Sequence, residues 1–85
     1  MNKIWADEAW DEYLYWQGQD KKTLKKINAL IKSIEREGAS EGLGKPEPLK
    51  YRKGYSRRID DKNRLVYDVV DGKIHIASCK GHYEE

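Results

Sequence analysis

The sequence contains one cysteine, two prolines and no phenylalanine in 85 residues. The lone thiol, Cys79, excludes an intramolecular disulfide framework and fits a reducing compartment. Long apolar runs are also missing: none approaches the roughly 20 residues that a membrane-spanning helix needs. The opening Met1-Asn2-Lys3-Ile4-Trp5-Ala6-Asp7-Glu8 has no apolar centre of the kind a signal peptide carries. A cytoplasmic protein with no membrane partner is expected. The length excludes a separate cofactor-binding domain, so residues 1–85 read as one domain. Without phenylalanine, the large rings are three Trp and six Tyr. Their N–H and O–H groups belong at the edge of a core, where they can find partners.

Excess charge of one sign is lacking too, with 17 basic against 15 acidic residues. The near-balance hides a gradient. Residues 1–43 hold seven basic and eight acidic groups, and residues 44–85 hold ten and seven. Between Lys45 and Arg64 there are eight basic and three acidic residues. That concentration marks a surface for an anionic partner.

Periodicity supplies the architecture. Lys3-Ile4-Trp5 reads as a short opening strand. A helix is expected from Asp7 to Gln17, with Ala9, Trp10, Tyr13 and Leu14 at helical spacing, Trp16 beside them, and Gly18 breaking it. Asp20 is a natural N-cap for a second helix over Lys21–Glu37. The apolar stripe of that helix is Leu24, Ile27, Leu30, Ile31 and Ile34, and Gly38 is its C-cap. The link between the two helices is short enough to predict a helical hairpin. Gly42, Gly44, Pro46 and Pro48 then mark a loop, with Glu47 stiffened between the two prolines. From Tyr55 the period falls to two, over Tyr55–Ile59, Leu65–Val70 and Ile74–Cys79, with turns at Asp60-Asp61-Lys62-Asn63 and Asp71-Gly72. The prediction is an α+β domain of order β-α-α-β-β-β, with one more short strand near Leu49. Its antiparallel sheet carries two helices on one face and leaves the other open.

The chemistry available is limited. No serine lies in a G-x-S-x-G elbow, and Gly42-Leu43-Gly44 lacks the context of a phosphate loop. His75, Cys79 and His82 are too few to make a metal site without a carboxylate. On a regular strand, 75 and 79 would also share a face that 82 does not. What remains is acid–base and electrostatic chemistry: Glu47, Lys50, Arg57, Arg58, Arg64, His82 and Tyr83. Such a set suffices for metal-free cleavage of RNA. A carboxylate can take the proton of a 2′-OH, a histidine with pKa near 6.5 can give one to the leaving oxygen, and cations can stabilise the phosphoryl oxygens. Singly, each residue has an ordinary structural reading as a loop former, a solvated arginine or a surface His-Tyr pair.

Six blocks carry a resemblance. They are Trp10-Asp11-Glu12-Tyr13-Leu14-Tyr15-Trp16, Lys25-Lys26-Ile27-Asn28, Gly44-Lys45-Pro46-Glu47-Pro48-Leu49-Lys50, Ser56-Arg57-Arg58-Ile59, Asn63-Arg64-Leu65-Val66-Tyr67 and His82-Tyr83. In these, in this order, the chain resembles the YoeB toxins of the RelE-like family of ribosome-dependent mRNA interferases. The resemblance implies an endoribonuclease, the toxin of a type II toxin–antitoxin pair, that cuts mRNA in the A site of the 70S ribosome. The products would be a 2′,3′-cyclic phosphate and a 5′-OH. It implies Glu47 as general base, His82 as general acid, Arg64 as stabiliser of the transition state and Tyr83 as the ring that orients the base. Lys50 and Arg58 would bind the phosphate, with Arg57 and Lys45 placed beside them. No cofactor is implied. The implied partners are the ribosome, a YefM-type antitoxin with an acidic segment that orders on binding, and, as in some family members, a second copy. The alternative on the same fold is a non-catalytic, gyrase-binding toxin of the ParE type, which would lack the acid–base set. Two departures stand out. The Tyr51–Tyr55 link is shorter than is common in the family, with Tyr55 where Trp is usual. Glu84-Glu85 follows Tyr83, where many relatives end, and is expected to trail into solvent.

Overall fold

The computed structural model describes residues 1–81, so His82, Tyr83, Glu84 and Glu85 lie outside the described residues. The elements are β1 (Asn2–Trp5), α1 (Asp7–Gln19), α2 (Lys21–Glu37), β2 (Glu47–Pro48), β3 (Tyr55–Arg58), β4 (Arg64–Val70) and β5 (Lys73–Ser78). The sheet has five strands in the order β1-β5-β4-β3-β2. Strands β2 to β5 pair antiparallel as expected, but β1 pairs parallel with β5, so the sheet is mixed. Periodicity marks a strand and its two faces but not its direction beside a neighbour distant in sequence, and so it missed this pairing. The extra strand near Leu49 is β2. It lies at the sheet edge, where the missing N–H of Pro48 does no harm.

The second helix follows its predicted bounds. Asp20 caps it by accepting from the backbone N–H groups of Lys22 and Thr23 at 3.1 and 3.2 Å. Its carboxylate also accepts from the Thr23 hydroxyl at 2.8 Å. That bond, then the bond from the Thr23 backbone, holds the Asp20 pKa below its usual value. The first helix departs from expectation twice. It runs through Gly18 to Gln19, and its buried side differs from the predicted stripe. A Gly inside a helix costs only about 1 kcal/mol, whereas the extended backbone of Asp20 does end the run. Ala9 is fully buried, and Glu12, Tyr13 and Trp16 are half-buried, while Trp10 and Leu14 stay largely exposed.

The core lies between the helices and one sheet face. It comprises Ala9, Ile27, Leu30, Ile31 and Ile34 from the helices, Leu65, Tyr67, Ile74 and Ile76 from the strands, and Ile59 and Cys79 just beyond strand ends. Trp and Tyr occupy its edge. Trp5 meets Tyr13 with ring centroids 4.7 Å apart, and the Tyr13 hydroxyl donates to Asn28 Oδ1 at 2.7 Å, joining α1 to α2. The Asp71-Gly72 turn has φ of +52° and +72°. Positive values at both positions are those of a type I′ hairpin, which Gly adopts without strain.

One charged group belongs to this core. Arg57 is 0% exposed. Its Nε donates to the Tyr67 hydroxyl at 2.7 Å. Nη1 donates to Ser33 Oγ at 2.9 Å and to the Leu43 carbonyl at 2.8 Å. Nη2 donates to the carbonyls of Gly38 at 2.9 Å and Glu41 at 2.6 Å. The expectation that Arg57 binds RNA phosphate is therefore corrected: every one of its bonds serves the fold. Tyr67 in turn donates to the Ala39 carbonyl at 2.6 Å. Burial raises the pKa of its phenol, and the Arg57 hydrogen bond opposes that rise.

Removing the guanidinium would leave buried carbonyls without donors. Arg57→Ala should lower unfolding free energy by about 3 kcal/mol or more, and Arg57→Lys should recover only part of it, since one ammonium does not reproduce the planar fork. Urea unfolding midpoints measure both losses; a shift of under about 1 kcal/mol for the alanine variant would show that the loop keeps its shape by other means.

Candidate functional site

The open face of the sheet is set by strand register. Directly paired residues in an antiparallel ladder project on the same side. Glu47 pairs with Ser56, Ser56 with Val66, and Val66 with Ser78, so these four form one row across β2, β3, β4 and β5. Leu65 and Tyr67, on either side of Val66, point into the core. The Glu47 row therefore faces away from the helices. Arg58 pairs with Arg64 on the same face, one step along the ladder.

An irregularity aligns that row. Tyr67 pairs with Ile76 and Val66 with Ser78, which leaves Ala77 as the extra residue of a β-bulge. Such an insertion shifts the alternation of every later residue on its strand. Ser78 moves to the open face beside Val66, and Cys79 turns into the core. Unbroken alternation from Ile74 to Cys79 would place His75 and Cys79 on one face. They lie on opposite sides of the sheet.

Glu47 is exposed and is positioned from behind by Gly44. The Gly44 carbonyl accepts from the Arg58 backbone N–H at 2.7 Å, strapping the loop to β3. Gly44 has φ of +86°, and a Cβ there would lie 2.6 Å from Leu30 Cδ2 and 3.1 Å from the Arg58 carbonyl oxygen. Lys45 follows, exposed and with φ of +53°. Lys50 is exposed on the link from Leu49 to Gly54. Across that link the Leu49 N–H donates to the Gly54 carbonyl at 3.0 Å. Arg58 is exposed and ion-paired with Asp61. Arg64 is half-buried, and its Nη1 lies 3.3 Å from Ser56 Oγ. Two arginines directly opposite each other on one face repel. An anion set between or above them would relieve that repulsion. Arg58 already has an acidic partner and Arg64 a hydroxyl one.

The face thus brings together Glu47, Arg58 and Arg64, with Lys45 and Lys50 on the flanking loop, and it releases Arg57. His82 and Tyr83 lie outside the described residues. Ser56 and Ser78 were not singled out in the sequence; the register and the bulge reveal them, and neither can be read from a single strand. A hollow of about 390 Å³ opens towards the far edge of the sheet, among Ile4, Asp68, Val70, His75, Arg52 and Lys53. None of the described site residues lines it.

The segment that precedes His82 is held by α1. The Cys79 N–H donates to Glu12 Oε1 at 2.8 Å, and the Cys79 carbonyl accepts from Trp16 Nε1 at 2.9 Å. Burial raises the Glu12 pKa, although the Cys79 N–H opposes it. Burial also pushes the Cys79 thiol up to about 12, with the Glu12 charge adding to the effect. A protonated, enclosed thiol is neither a nucleophile nor a ready metal ligand. Among the described residues, no three His, Cys, Asp or Glu side chains gather as a metal site.

Residues 5–83 match a family of proteins described as the YoeB-like toxin of the bacterial type II toxin–antitoxin system. The chain belongs to this family. It is 53% identical to the toxin YoeB of Escherichia coli K12 over 85 residues, covering 98% of this chain and all of that one. It is also similar to YoeB of Staphylococcus aureus in a heterotetrameric complex with YefM, at 54% identity and a TM-score of 0.92, with 98% of each chain covered. The same scores and coverage hold for a dimer of YoeB from that organism. A YoeB-like toxin of a type II system, with two helices on a five-stranded mixed sheet, is what both residue pattern and architecture support.

Two outcomes test the framework of the site. Gly44→Ala should cost roughly 1–3 kcal/mol in denaturant unfolding, because the new methyl overlaps Leu30 and strains a left-handed backbone. In the folded protein Cys79 should resist a thiol reagent at pH 8 and react at once in denaturant; rapid native labelling would mean that the core opens at α1.

Proposed function

We propose that this YoeB-like toxin is an endoribonuclease that cuts mRNA in the ribosomal A site through its own acid and base groups. In this reading Glu47 takes the proton of a 2′-OH, whose oxygen attacks the adjacent phosphorus. The bond from phosphorus to the 5′ oxygen breaks, and His82 supplies the proton that oxygen needs. The products are a 2′,3′-cyclic phosphate and a 5′-OH. Arg64, Arg58 and Lys50 offset the charge that builds on the phosphoryl oxygens. Tyr83 stacks on or orients the base, and Lys45 lies along the approaching backbone.

The observation that carries this reading is the ladder register: a carboxylate and two opposed guanidinium groups share one open sheet face. A binding surface for an anion needs the arginines but gains nothing from a carboxylate beside them. A chain of 85 residues favours a partner that holds the RNA, a role the ribosome fills by supplying orientation that so small an enzyme does not provide itself. The YefM-bound and dimeric relatives from S. aureus support two further partners for this chain, a YefM-type antitoxin and a second copy. The antitoxin's acidic segment would cover the basic face and order as it binds. A protein that acts on the ribosome in this way would work in the cytoplasm. No helix among the described residues is long and apolar enough to cross a membrane.

Programmed 70S ribosomes with end-labelled mRNA test the proposal. Glu47→Ala, Arg64→Ala and His82→Ala should each slow cleavage in the bound complex by about 10²-fold or more, with ribosome affinity changed little. Equal cutting by wild type and His82→Ala would remove the assigned acid. Gyrase-dependent DNA damage in place of mRNA cleavage would select the ParE-type reading.

A further inference from the structure

Gly81 is the residue bonded to His82, and both of its backbone polar groups are taken. Its N–H donates to Asn63 Oδ1 at 2.8 Å, and its carbonyl accepts from the Arg64 backbone N–H at 3.0 Å. Its φ is +85°. We infer that Asn63 is a positioning residue for the catalytic acid, acting through Gly81, in an orientation dictated by Asp60. The inference rests on the assignment of His82 as that acid.

The orientation follows from donor and acceptor chemistry. An asparagine amide presents an acceptor on one side and a donor on the other. The Asp60 carboxylate only accepts, so it must face the Asn63 nitrogen, and Nδ2 lies 3.0 and 3.1 Å from its two oxygens. That turns Oδ1 towards Gly81, which offers an N–H. Asp60 is itself fixed, accepting from the backbone N–H groups of Lys62 and Asn63 at 2.8 Å each. Partial burial opposes its charge, but the bonds from the Asn63 side chain and the two backbone groups outweigh it and keep its pKa below the usual carboxylate value. Asp60 therefore remains an acceptor throughout the neutral range. The Asn63 carbonyl closes the same turn, accepting from the N–H groups of Ile59 and Asp60 at 3.0 and 3.2 Å.

Gly81 is one of two anchors. The other is Cys79, two residues earlier, gripped by Glu12 and Trp16 of α1. The chain is thus tied at 79 to α1 and at 81 to Asn63 and the Arg64 backbone. Proton transfer depends steeply on such placement, since a displacement of about 1 Å can cost about 10²-fold in rate. The side-chain oxygen of Asn63 is committed to Gly81, 18 residues away in sequence, and so ties the turn to the residue that precedes His82.

The test uses the full chain on programmed 70S ribosomes with labelled mRNA. Asn63→Ala should slow cleavage of the bound complex by about 10-fold to 100-fold, with ribosome affinity unchanged within about two-fold. In a His82→Ala background the same change should have no further effect, because a residue acting through another loses its influence when that one is absent. Asn63→Asp should also be slow, since it sets two carboxylates face to face. The exchange Asp60→Asn with Asn63→Asp should restore most of the rate, because the donor and acceptor then trade places. Hydrogen exchange at the Gly81 amide should quicken in Asn63→Ala and recover in the exchange variant. If wild type cuts and needs His82 but Asn63→Ala cuts as fast, or slows both backgrounds equally, or loses affinity alone, this inference is overturned while the proposed function stands. A wild type that does not cut overturns both.

Discussion

The buried guanidinium of Arg57 is the constraint on which the rest of the structure depends. The loop between α2 and β2 has little apolar surface of its own, and its carbonyls at Gly38, Glu41 and Leu43 turn inward. Inward carbonyls need donors, because leaving one unpaired costs about 1–3 kcal/mol. Arg57 supplies three of them, and its Ser33 partner supplies shape. Ser33 Oγ accepts from Arg57 and from the Leu43 N–H, and donates to Glu37. A helix, a loop and a strand thereby share one set of bonds. Glu47 stands three residues beyond Gly44, at the end of that loop. Its place on the open face is set by a residue that never reaches the surface.

The same network explains how so charged a chain keeps a core. A domain of this size buries only about 60% of the surface its unfolded chain exposes, and here charged residues are 38% of the total. The apolar cluster is thin, and Tyr and Trp finish it through their polar ends. Tyr67 links Arg57 to the Ala39 carbonyl, Tyr13 reaches Asn28, and Trp16 reaches the Cys79 carbonyl. Phenylalanine at these positions would make none of these bonds.

Local signals were legible where they depend on neighbours in sequence. The Asp20 cap, the end of α2 at Gly38 and the Asp71-Gly72 turn follow from the chemistry of two or three residues. So does the sidedness of β3 and β4, because a period of two marks which residues look away from the helices. Less legible was anything that depends on a distant partner. The parallel pairing of β1 with β5 leaves no trace in either strand. The bulge at Ala77 looks like regular alternation until β4 is laid beside it. Gly18 continues a helix because the chain stops at Asp20 instead. Arg57 looked like a phosphate ligand, for a row of arginines on a strand reads as solvated charge unless the acceptors above it are known. The candidate site divides in the same way: Glu47, Arg58 and Arg64 were found from their residue types and the blocks that contain them, whereas Ser56, Ser78 and Asn63 become visible only through register and hydrogen bonds.

The adjacent arginines 57 and 58 show how a short strand serves stability and function together. Alternation sends their side chains to opposite faces. Arg57 enters the core, where neutral acceptors surround it and its charge supports the loop. Arg58 enters solvent opposite Arg64, where like charges repel and lower stability. The bonds of the buried guanidinium hold β3 to the loop before it, and that attachment does not depend on the exposed pair. An open face carrying mutually repelling cations is unfavourable in the free protein and favourable around an anion. In the proposed reading, that anion would be a phosphate of the RNA. The two neighbours are not equivalent even though their side chains are identical, because among the described residues the carbonyls that receive Arg57 lie on its face of the strand.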